Sequence, residues 1–317
     1  MSTDKDWDNA FTGADLRGTV EHSPAYGGAL SFMRRKYTRD LTGVDVAVTG
    51  IALDTATSNR PGARFGPRAI RAASTIISWA RPWPWGFDPL ERLAVIDYGD
   101  CEIDFGDLAN IKPMIEKHID RILEDGAASL ILGGDHYATY PALIAYARRH
   151  GPLSLVHFDA HSDTWSDDPK RVDHGTMFYH AANAGIVDDK RSVQIGLRTT
   201  NDDTLGFNVL DARWVQENGP AAVAEKIKGV VGDNKTYLTF DIDCLDPSCA
   251  PGTGTPVCGG LSSYQALEII RGIAGINLVG MDVMEVAPAY DVGEITALAG
   301  ATLAAELLCL YAANPNR

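Results

Sequence analysis

The fold is decided by one stretch of sequence, Leu155-Val156-His157-Phe158-Asp159-Ala160-His161-Ser162-Asp163. An apolar run leads into three potential metal ligands at alternate positions, Asp159, His161 and Asp163. Because alternate side chains of an extended chain point to the same face, these three can converge on one point where a buried strand ends. In an open α/β sheet, ligands and catalytic groups collect at the carboxyl ends of the strands. The stretch therefore predicts a buried strand with a functional site at its end.

Two further apolar runs end in the same kinds of side chain. Ser129–Leu132 leads into Gly133-Gly134-Asp135-His136, and Tyr237–Phe240 leads into Asp241-Ile242-Asp243. A single carboxylate at a strand end is usually a solvated acid, but three such arrays are difficult to attribute to chance. Carboxylates with a minority of imidazoles suit Mn²⁺ or a similar divalent ion better than they suit structural zinc. Together, the three arrays predict a two-metal site.

The charge balance restricts the class of partner. The chain has 317 residues, 45% of them hydrophobic, and a formal net charge of -14. Such a charge argues against nucleic acid and anionic membranes as partners and favours a small cationic ligand. An acidic surface that serves only solubility is the commoner explanation of such a charge.

No segment resembles a targeting signal or a membrane span. The first twenty residues are polar and acidic, and no apolar run reaches the ~18 residues that a span needs. None of the five cysteines belongs to a CxxC pair, which favours a reduced, cytoplasmic protein. They are Cys101, Cys244, Cys249, Cys258 and Cys309.

The order of predicted elements indicates one α/β domain at 43–317 behind an N-terminal arm at 1–42. Strands alternate with helices, which predicts a mainly parallel sheet covered on both faces. Strands are predicted at Val44–Ile51, Leu93–Asp97, Ser129–Leu132, Leu155–Phe158, Arg191–Gly196, Phe207–Leu210, Tyr237–Phe240 and Asn277–Asp282. Helices are predicted at Leu30–Tyr37, Arg68–Ala73 behind Pro67, Leu108–Glu124, Tyr140–His150, Ala221–Val230 and Ile295–Ala313.

Two histidines outside the three arrays need an interpretation. His157 occupies a strand position and is expected in the core or directly behind the ligands. His174 follows Asp173 after a loop that could fold over the metals, which makes it a candidate functional residue.

The three arrays resemble the signatures of the ureohydrolases, the arginase and agmatinase family. The resemblance covers nearly all of residues 45–310 and is closest to the bacterial agmatinases. It implies an arginase-like, three-layer α/β/α sandwich that assembles as a homotrimer or homohexamer. The matching segments are Gly133–His136, Asp159–Asp163, Asp241–Pro247, the Asn59–Arg71 loop, Asp173–Tyr179, Ala250–Pro256 and Gly280–Asp291. Trp165 and Cys249 depart from the family's usual residues near the expected pocket.

The resemblance also implies a reaction, hydrolysis of a guanidino compound to urea and an amine, with agmatine and its polyamine product putrescine as the first choice. It implies two Mn²⁺ per subunit, with Ni²⁺ or Co²⁺ as alternatives. By motif, the first ion is bound by His136, Asp159, Asp163 and Asp241, and the second by Asp159, His161, Asp241 and Asp243. The catalytic histidine falls on His174 and the guanidinium-binding carboxylate on Glu285, while Asp163 or His174 would protonate the leaving nitrogen.

Several alternatives remain open at this point. The same metals could serve guanidinobutyrate, arginine, guanidine or an alkylated guanidine, or the chain could be a non-catalytic partner subunit. The segment between Asp163 and His174 is the expected determinant of substrate choice. It carries Asp167, Asp168 and Asp173 against Lys170 and Arg171, a balance that favours a dication over a substrate with an acidic tail.

Overall fold

A single parallel sheet forms the middle of the computed structural model, which describes residues 8–12, 16–18, 25–78, 81–166 and 170–317. Within these ranges the sheet has eight strands in the order β2-β1-β3-β8-β7-β4-β5-β6. Every neighbouring pair is parallel. The strands are β1 Val46–Ile51, β2 Val95–Asp100, β3 Ala128–Gly133, β4 Ser154–Phe158, β5 Val193–Ile195, β6 Asn208–Leu210, β7 Thr236–Asp241 and β8 Leu278–Met284.

Helices cover both faces of this sheet. Their bounds are α1 Asn9–Thr12, α2 Gly66–Ser74, α3 Pro89–Arg92, α4 Ile111–Glu124, α5 Thr139–His150, α6 Met177–Asn183, α7 Ala212–Val231, α8 Ser263–Gly272 and α9 Ile295–Ala312. One hydrophobic core joins the sheet to α2, α3, α7, α8 and α9, and a second joins its other face to α4, α5 and α6. The predicted three-layer α/β/α sandwich is confirmed.

The two cores explain why the strands are continuous apolar runs. In β3, Leu130 and Leu132 pack into the first core, whereas Ile131 packs into the second. Since both faces are covered, most residues of the inner strands are apolar whichever way they point, with buried polar residues such as His157, Thr239 and Asp282 as exceptions. The inner strands β3, β8, β7 and β4 are neighbours, so their carboxyl ends lie side by side at one edge of the sheet.

Some predicted elements are wrong. The helix predicted at Leu30–Tyr37 is only a 3₁₀ turn, Phe32–Arg34, because Met33 and Arg34 adopt left-handed backbone with φ of 45° and 57°. The helix predicted at Ala221–Val230 is present as the second part of Ala212–Val231, after a break at Gly219 with φ of 79°, but the first part was not predicted. Helix α8 was not predicted, although Ser262 and Gln265 form a capping box at its start.

Helix α9 is relevant to the expectation that the chain has no membrane span. Among the described residues, it is the one helix long and apolar enough to cross a membrane, with 18 residues and a mean hydropathy of 1.7. However, 72% of it is buried inside the fold, and its Glu306 is paired with Arg271 of α8. Polar residues interrupt α9, but on average the helix is apolar enough to span a membrane. Its burial inside the fold identifies it as a core helix.

The N-terminal arm at 1–42 stays a prediction. Residues 1–7, 13–15 and 19–24 lie outside the described ranges. Of the rest, Phe32 and Met33 are buried in the first core, and the Phe32 amide donates to Asp97 Oδ2 at 2.7 Å.

Candidate metal centre and adjoining cleft

His136 lies at the centre of a buried group of carboxylates. Its Nδ1 is 3.2 Å from Asp159 Oδ2, 3.3 Å from Asp163 Oδ2 and 3.2 Å from Asp241 Oδ2. These residues follow β3, β4 and β7, so the side-by-side strand ends bring them together. All four side chains are buried.

A second group adjoins the first through Asp159. His161 Nδ1 lies 3.2 Å from Asp159 Oδ1 and 3.2 Å from Asp243 Oδ2. Asp159 therefore directs one carboxylate oxygen to each imidazole. In Asp241, Oδ2 faces His136, whereas Oδ1 accepts a hydrogen bond from the Asp243 amide at 2.8 Å. All six predicted ligands thus lie in two groups that share one carboxylate.

The first group fits a divalent cation. Although His136 Nδ1 is buried and faces three carboxylates, it has no hydrogen-bond partner among the described residues. Buried polar atoms without a partner are rare in proteins. Burial opposes a charge on the ring, but Asp159, Asp163 and Asp241 outweigh it and raise the pKa of His136 well above its ordinary value. The nitrogen without a partner faces three carboxylate oxygens, and this oxygen-rich donor set suits a hard divalent ion.

Behind the ligands, His157 orients Asp159. Its Nε2 is 2.8 Å from Asp159 Oδ2, and its Nδ1 is 3.0 Å from Gln194 Nε2. The same amide nitrogen donates to the carbonyl of Ser162 at 2.6 Å. Because an amide nitrogen only donates, His157 accepts at Nδ1 and donates from Nε2 to the carboxylate. His157 is fully buried, which confirms its predicted place in the core. Sequence reasoning did not single out Gln194.

The predicted catalytic histidine stands beside the predicted guanidinium-binding carboxylate. His174 Nδ1 is 3.9 Å from Glu285 Oε1, and His174 Nε2 is 3.0 Å from Ser58 Oγ. Glu285 follows β8 and also accepts a hydrogen bond from the His136 amide at 2.8 Å. Asp135 completes a third group with His174 and Glu285.

The ionisable side chains of this third group shift one another's pKa values. Burial opposes a charged His174, but the charges of Glu285, Asp163 and Asp135 outweigh it and raise the pKa of His174 to about 9. Burial and the charge of Glu285 raise the pKa of Asp135 to about 7. A planar cation next to Glu285 would be stabilised here by charge-assisted hydrogen bonds.

Two site residues have unusual backbone conformations. Asp163 and Glu285 adopt φ values of 54° and 63°, which are uncommon for residues other than glycine. Such conformations concentrate at functional sites, where the surrounding structure enforces them. Here they aim two carboxylates inward from positions just beyond strand ends.

A cleft of about 660 Å³ leads to His174. Its walls are the loop at 55–58, the segment at 171–176 and the aromatic rings of Trp165 and Tyr137. Trp165 lies against Gly175, where an added Cβ would be 3.3 Å from its Cε3, and its amide donates to the Gly175 carbonyl at 3.1 Å. The loop after Asp163 therefore returns to the centre as predicted.

The charges of this loop are only partly described. Asp167 and Asp168 lie outside the described residues. Arg171 Nε is paired with Asp173 Oδ2 at 2.8 Å, so the loop's arginine is held by one of its own acids. Cys249, which was expected near the pocket, is not among the walls of this cleft and lines a separate apolar groove with Ala266 and Leu298.

Comparisons with known proteins agree over most of the chain. A sequence model described as the arginase family matches residues 44–309, which include all eight predicted site residues. An agmatinase from Chromobacterium violaceum is 60% identical over 287 residues, which cover 90% of this chain and 89% of that protein.

Two solved structures extend the similarity to the fold. The crystal structure of a hypothetical agmatinase from Burkholderia thailandensis has a TM-score of 0.94 and 59% identity, and the match covers 96% of this chain and 97% of that one. Proclavaminate amidino hydrolase from Streptomyces clavuligerus has a TM-score of 0.88 and 40% identity, covering 92% and 99% of the two chains.

Proposed function

The chain belongs to the arginase family, and we propose that it hydrolyses agmatine to putrescine and urea at a binuclear metal centre. The resemblance to the ureohydrolases is confirmed, and with it the class of reaction, hydrolysis of a C–N bond in a linear amidine. One observation supports the proposal above all others. Two ligand groups share Asp159, and Glu285, which lies beside His174, also accepts a hydrogen bond from the amide of His136 in the first group.

We assign the ligands of the two ions from these groups. His136, Asp159, Asp163 and Asp241 would hold one ion, and Asp159, His161 and Asp243 the other. The resemblance to the family adds Asp241 to the second set, so Asp159 and Asp241 would both contribute to the two sets. Mn²⁺ is the proposed ion, with Ni²⁺ or Co²⁺ as alternatives, because the donors are mainly carboxylate oxygens. Divalent ions in such a site lower the pKa of water to about 7, which supplies a nucleophile at neutral pH.

Glu285 is the proposed guanidinium-binding residue. The guanidinium carbon is a poor electrophile, since its positive charge is delocalised over three nitrogens. A buried carboxylate can accept hydrogen bonds from two of these nitrogens and hold the carbon facing the metal groups. The His136 amide already fixes Oε1 of Glu285 at 2.8 Å, which restricts the orientation of the carboxylate.

His174 is the proposed proton donor to the leaving nitrogen, with Asp163 as the alternative. The carboxylates around His174 raise its pKa to about 9, so the ring carries a proton at neutral pH. Donation to the departing amine would let the tetrahedral carbon collapse to urea. Ser58 holds the opposite ring nitrogen at 3.0 Å and fixes the plane of the ring.

Agmatine is the proposed substrate because its second cation suits an acidic protein. The net charge of -14 favours a dication, and Arg171 is already paired with Asp173. Arginine, guanidinobutyrate, guanidine and alkylated guanidines remain alternatives, and the likeness to an amidino hydrolase keeps them open. A non-catalytic partner subunit is disfavoured, since all six proposed ligands, His174 and Glu285 are present.

Urea release from the Mn²⁺-loaded protein would test the substrate. At low ionic strength, agmatine should exceed arginine and 4-guanidinobutyrate in kcat/KM by at least about 10-fold, or about 1.4 kcal/mol. A preference for either carboxylated compound would overturn the agmatine proposal and leave the reaction class intact.

The assembly and location belong to the same proposal. We expect a cytoplasmic homotrimer or homohexamer with no nucleic-acid or membrane partner. All five cysteines are free thiols, as in a reducing compartment. Mass photometry should give three or six chains per particle, and a monomer would contradict the assembly.

A further inference from the structure

Asp282 is a fully buried carboxylate that the proposed reaction does not use. Three hydroxyl groups point at it: Thr139 and Tyr237 donate to its Oδ2, each at 2.9 Å, and Thr239 donates to its Oδ1 at 2.5 Å. Burying a charge is costly unless hydrogen bonds satisfy it. Such a group needs an explanation, since an apolar residue could fill the same space in the sheet.

The bond with Thr239 connects Asp282 to the metal centre. Thr239 Oγ1 is also 2.8 Å from His136 Nε2. A threonine hydroxyl has one proton, and here the carboxylate takes it, so the hydroxyl must accept from the imidazole. Nε2 of His136 therefore carries a proton. In the neutral ring the lone pair is then left on Nδ1, the atom that faces Asp159, Asp163 and Asp241.

Strand register builds this connection. Thr239 in β7 and Asp282 in β8 are direct partners in the parallel pair. Partners in register carry their side chains on the same face, which places the hydroxyl against the carboxylate. Tyr237 lies two residues before Thr239 on that face and reaches the same acid.

We propose that Asp282 and Thr239 are positioning residues that fix the tautomer of His136, so that its Nδ1 is presented to a divalent metal. This inference rests on the metal centre proposed above. Without the hydroxyl, the Nε2–H would be buried and unpaired, and a proton on Nδ1 among the carboxylates would be favoured instead. That proton would compete with the metal for the same nitrogen.

Three variants separate this role from a merely structural one. Thr239→Val removes the hydroxyl at nearly constant shape, Thr239→Ser restores a hydroxyl, and Tyr237→Phe removes a different donor to the same carboxylate. Manganese affinity is measured by isothermal titration calorimetry on the metal-free proteins, and folding by circular dichroism. We expect the Kd for Mn²⁺ to rise about 10- to 100-fold in Thr239→Val, with Thr239→Ser and Tyr237→Phe close to wild type.

The outcomes distinguish the inference from the proposed function. A wild-type protein that binds no Mn²⁺ would overturn the metal centre itself. Wild-type affinity in Thr239→Val, or an equal loss in Tyr237→Phe, would overturn only the role of the Thr239 link. A measurement on the wild-type protein does not depend on any variant folding. In the Zn²⁺-loaded form, ¹H–¹⁵N correlations should show His136 protonated at Nε2 alone, and a proton on Nδ1 would contradict the inference.

Discussion

Two histidines, the half-buried His118 and the buried His136, make the same hydrogen bond to a threonine hydroxyl, but their pKa values are shifted in opposite directions. His118 Nε2 lies 2.7 Å from Thr49 Oγ1, and His136 Nε2 lies 2.8 Å from Thr239 Oγ1. Burial, together with the charge of Arg39, lowers the pKa of His118 to about 4, whereas three carboxylates raise the pKa of His136 well above its ordinary value.

The two threonine hydroxyls also differ in the charge of the group to which they donate. Thr49 donates to the carbonyl of Gly99 at 2.8 Å, a neutral group, whereas Thr239 donates to the carboxylate of Asp282. His118 lies near both Arg39 and Asp100, and its pKa is lowered, which is typical of a packing residue. His136 instead faces three carboxylates, a set that suits a bound cation, and a second group of His161 with two carboxylates adjoins it.

The largest effect should follow from breaking the carboxylate cluster. Asp159→Asn removes the carboxylate that both groups share, so hydrolysis should fall to the limit of detection and bound Mn²⁺ should fall below two ions per chain. The fold should persist, because the amide has the same shape and β4 keeps its packing. Metal analysis, urea release and circular dichroism test this together. Two tightly bound ions in an active variant would contradict the sharing of Asp159.

A smaller effect should follow from removing His174, which is not a proposed metal ligand. His174→Ala should lower kcat roughly 10²-fold or more while leaving two ions per chain, since it removes only an acid–base group. His150→Ala, at the far end of α5, serves as the matched control and should keep wild-type turnover. Loss of metal along with activity would reassign His174 to the ligands.

The neutral histidine predicts a pH dependence of stability. The folded protein holds His118 neutral down to about pH 4, whereas the unfolded chain takes up a proton below its ordinary value of 6.5. Stability contributed by His118 is therefore present above pH 6.5 and is lost as the pH falls toward 4, by up to about 3 kcal/mol. Denaturant unfolding of metal-free protein from pH 7 to 4.5 should show a shallower loss in His118→Gln. Equal slopes for both proteins would contradict the comparison.

The smallest effect should come from the cleft wall. Trp165 is 36% exposed there and can contact the tail of a substrate. Trp165→Ala should raise KM for agmatine about 3- to 10-fold with kcat little changed, because a cation–aromatic contact contributes about 0.5–2 kcal/mol. Tyr264→Ala, an exposed aromatic outside the cleft, is the matched control. An unchanged KM would remove Trp165 from the determinants of binding.

The ligand cluster could be predicted from the sequence because it depends on local rules. Apolar runs predict the strands, and parallel strands place their carboxyl ends at one edge. Alternation does not place most of the ligands, because Asp159, His161 and Asp163 lie beyond β4 and Asp243 lies in a 3₁₀ turn after β7. The strand and helix order gave the layers of the fold. Resemblance to a family added Glu285 and the catalytic role of His174.

The remaining features depend on contacts between distant parts of the chain. Thr239 and Asp282 are in contact only because β7 and β8 are neighbours in the sheet. The order of the strands could not be predicted from the sequence. Gln194 reaches His157 from β5 for the same reason. The turn at Phe32–Arg34 forms where a helix was predicted because tertiary hydrogen bonds fix its backbone, such as that from the Met33 amide to Ser74 Oγ at 2.7 Å.

The binuclear centre can be tested most directly by titrating Mn²⁺ into metal-free protein while urea release from agmatine is followed. With two ligand groups sharing Asp159, activity should rise until two equivalents per chain are bound and then stay constant. Activity that saturates at one equivalent, or that is complete in metal-free protein, would contradict the central claim.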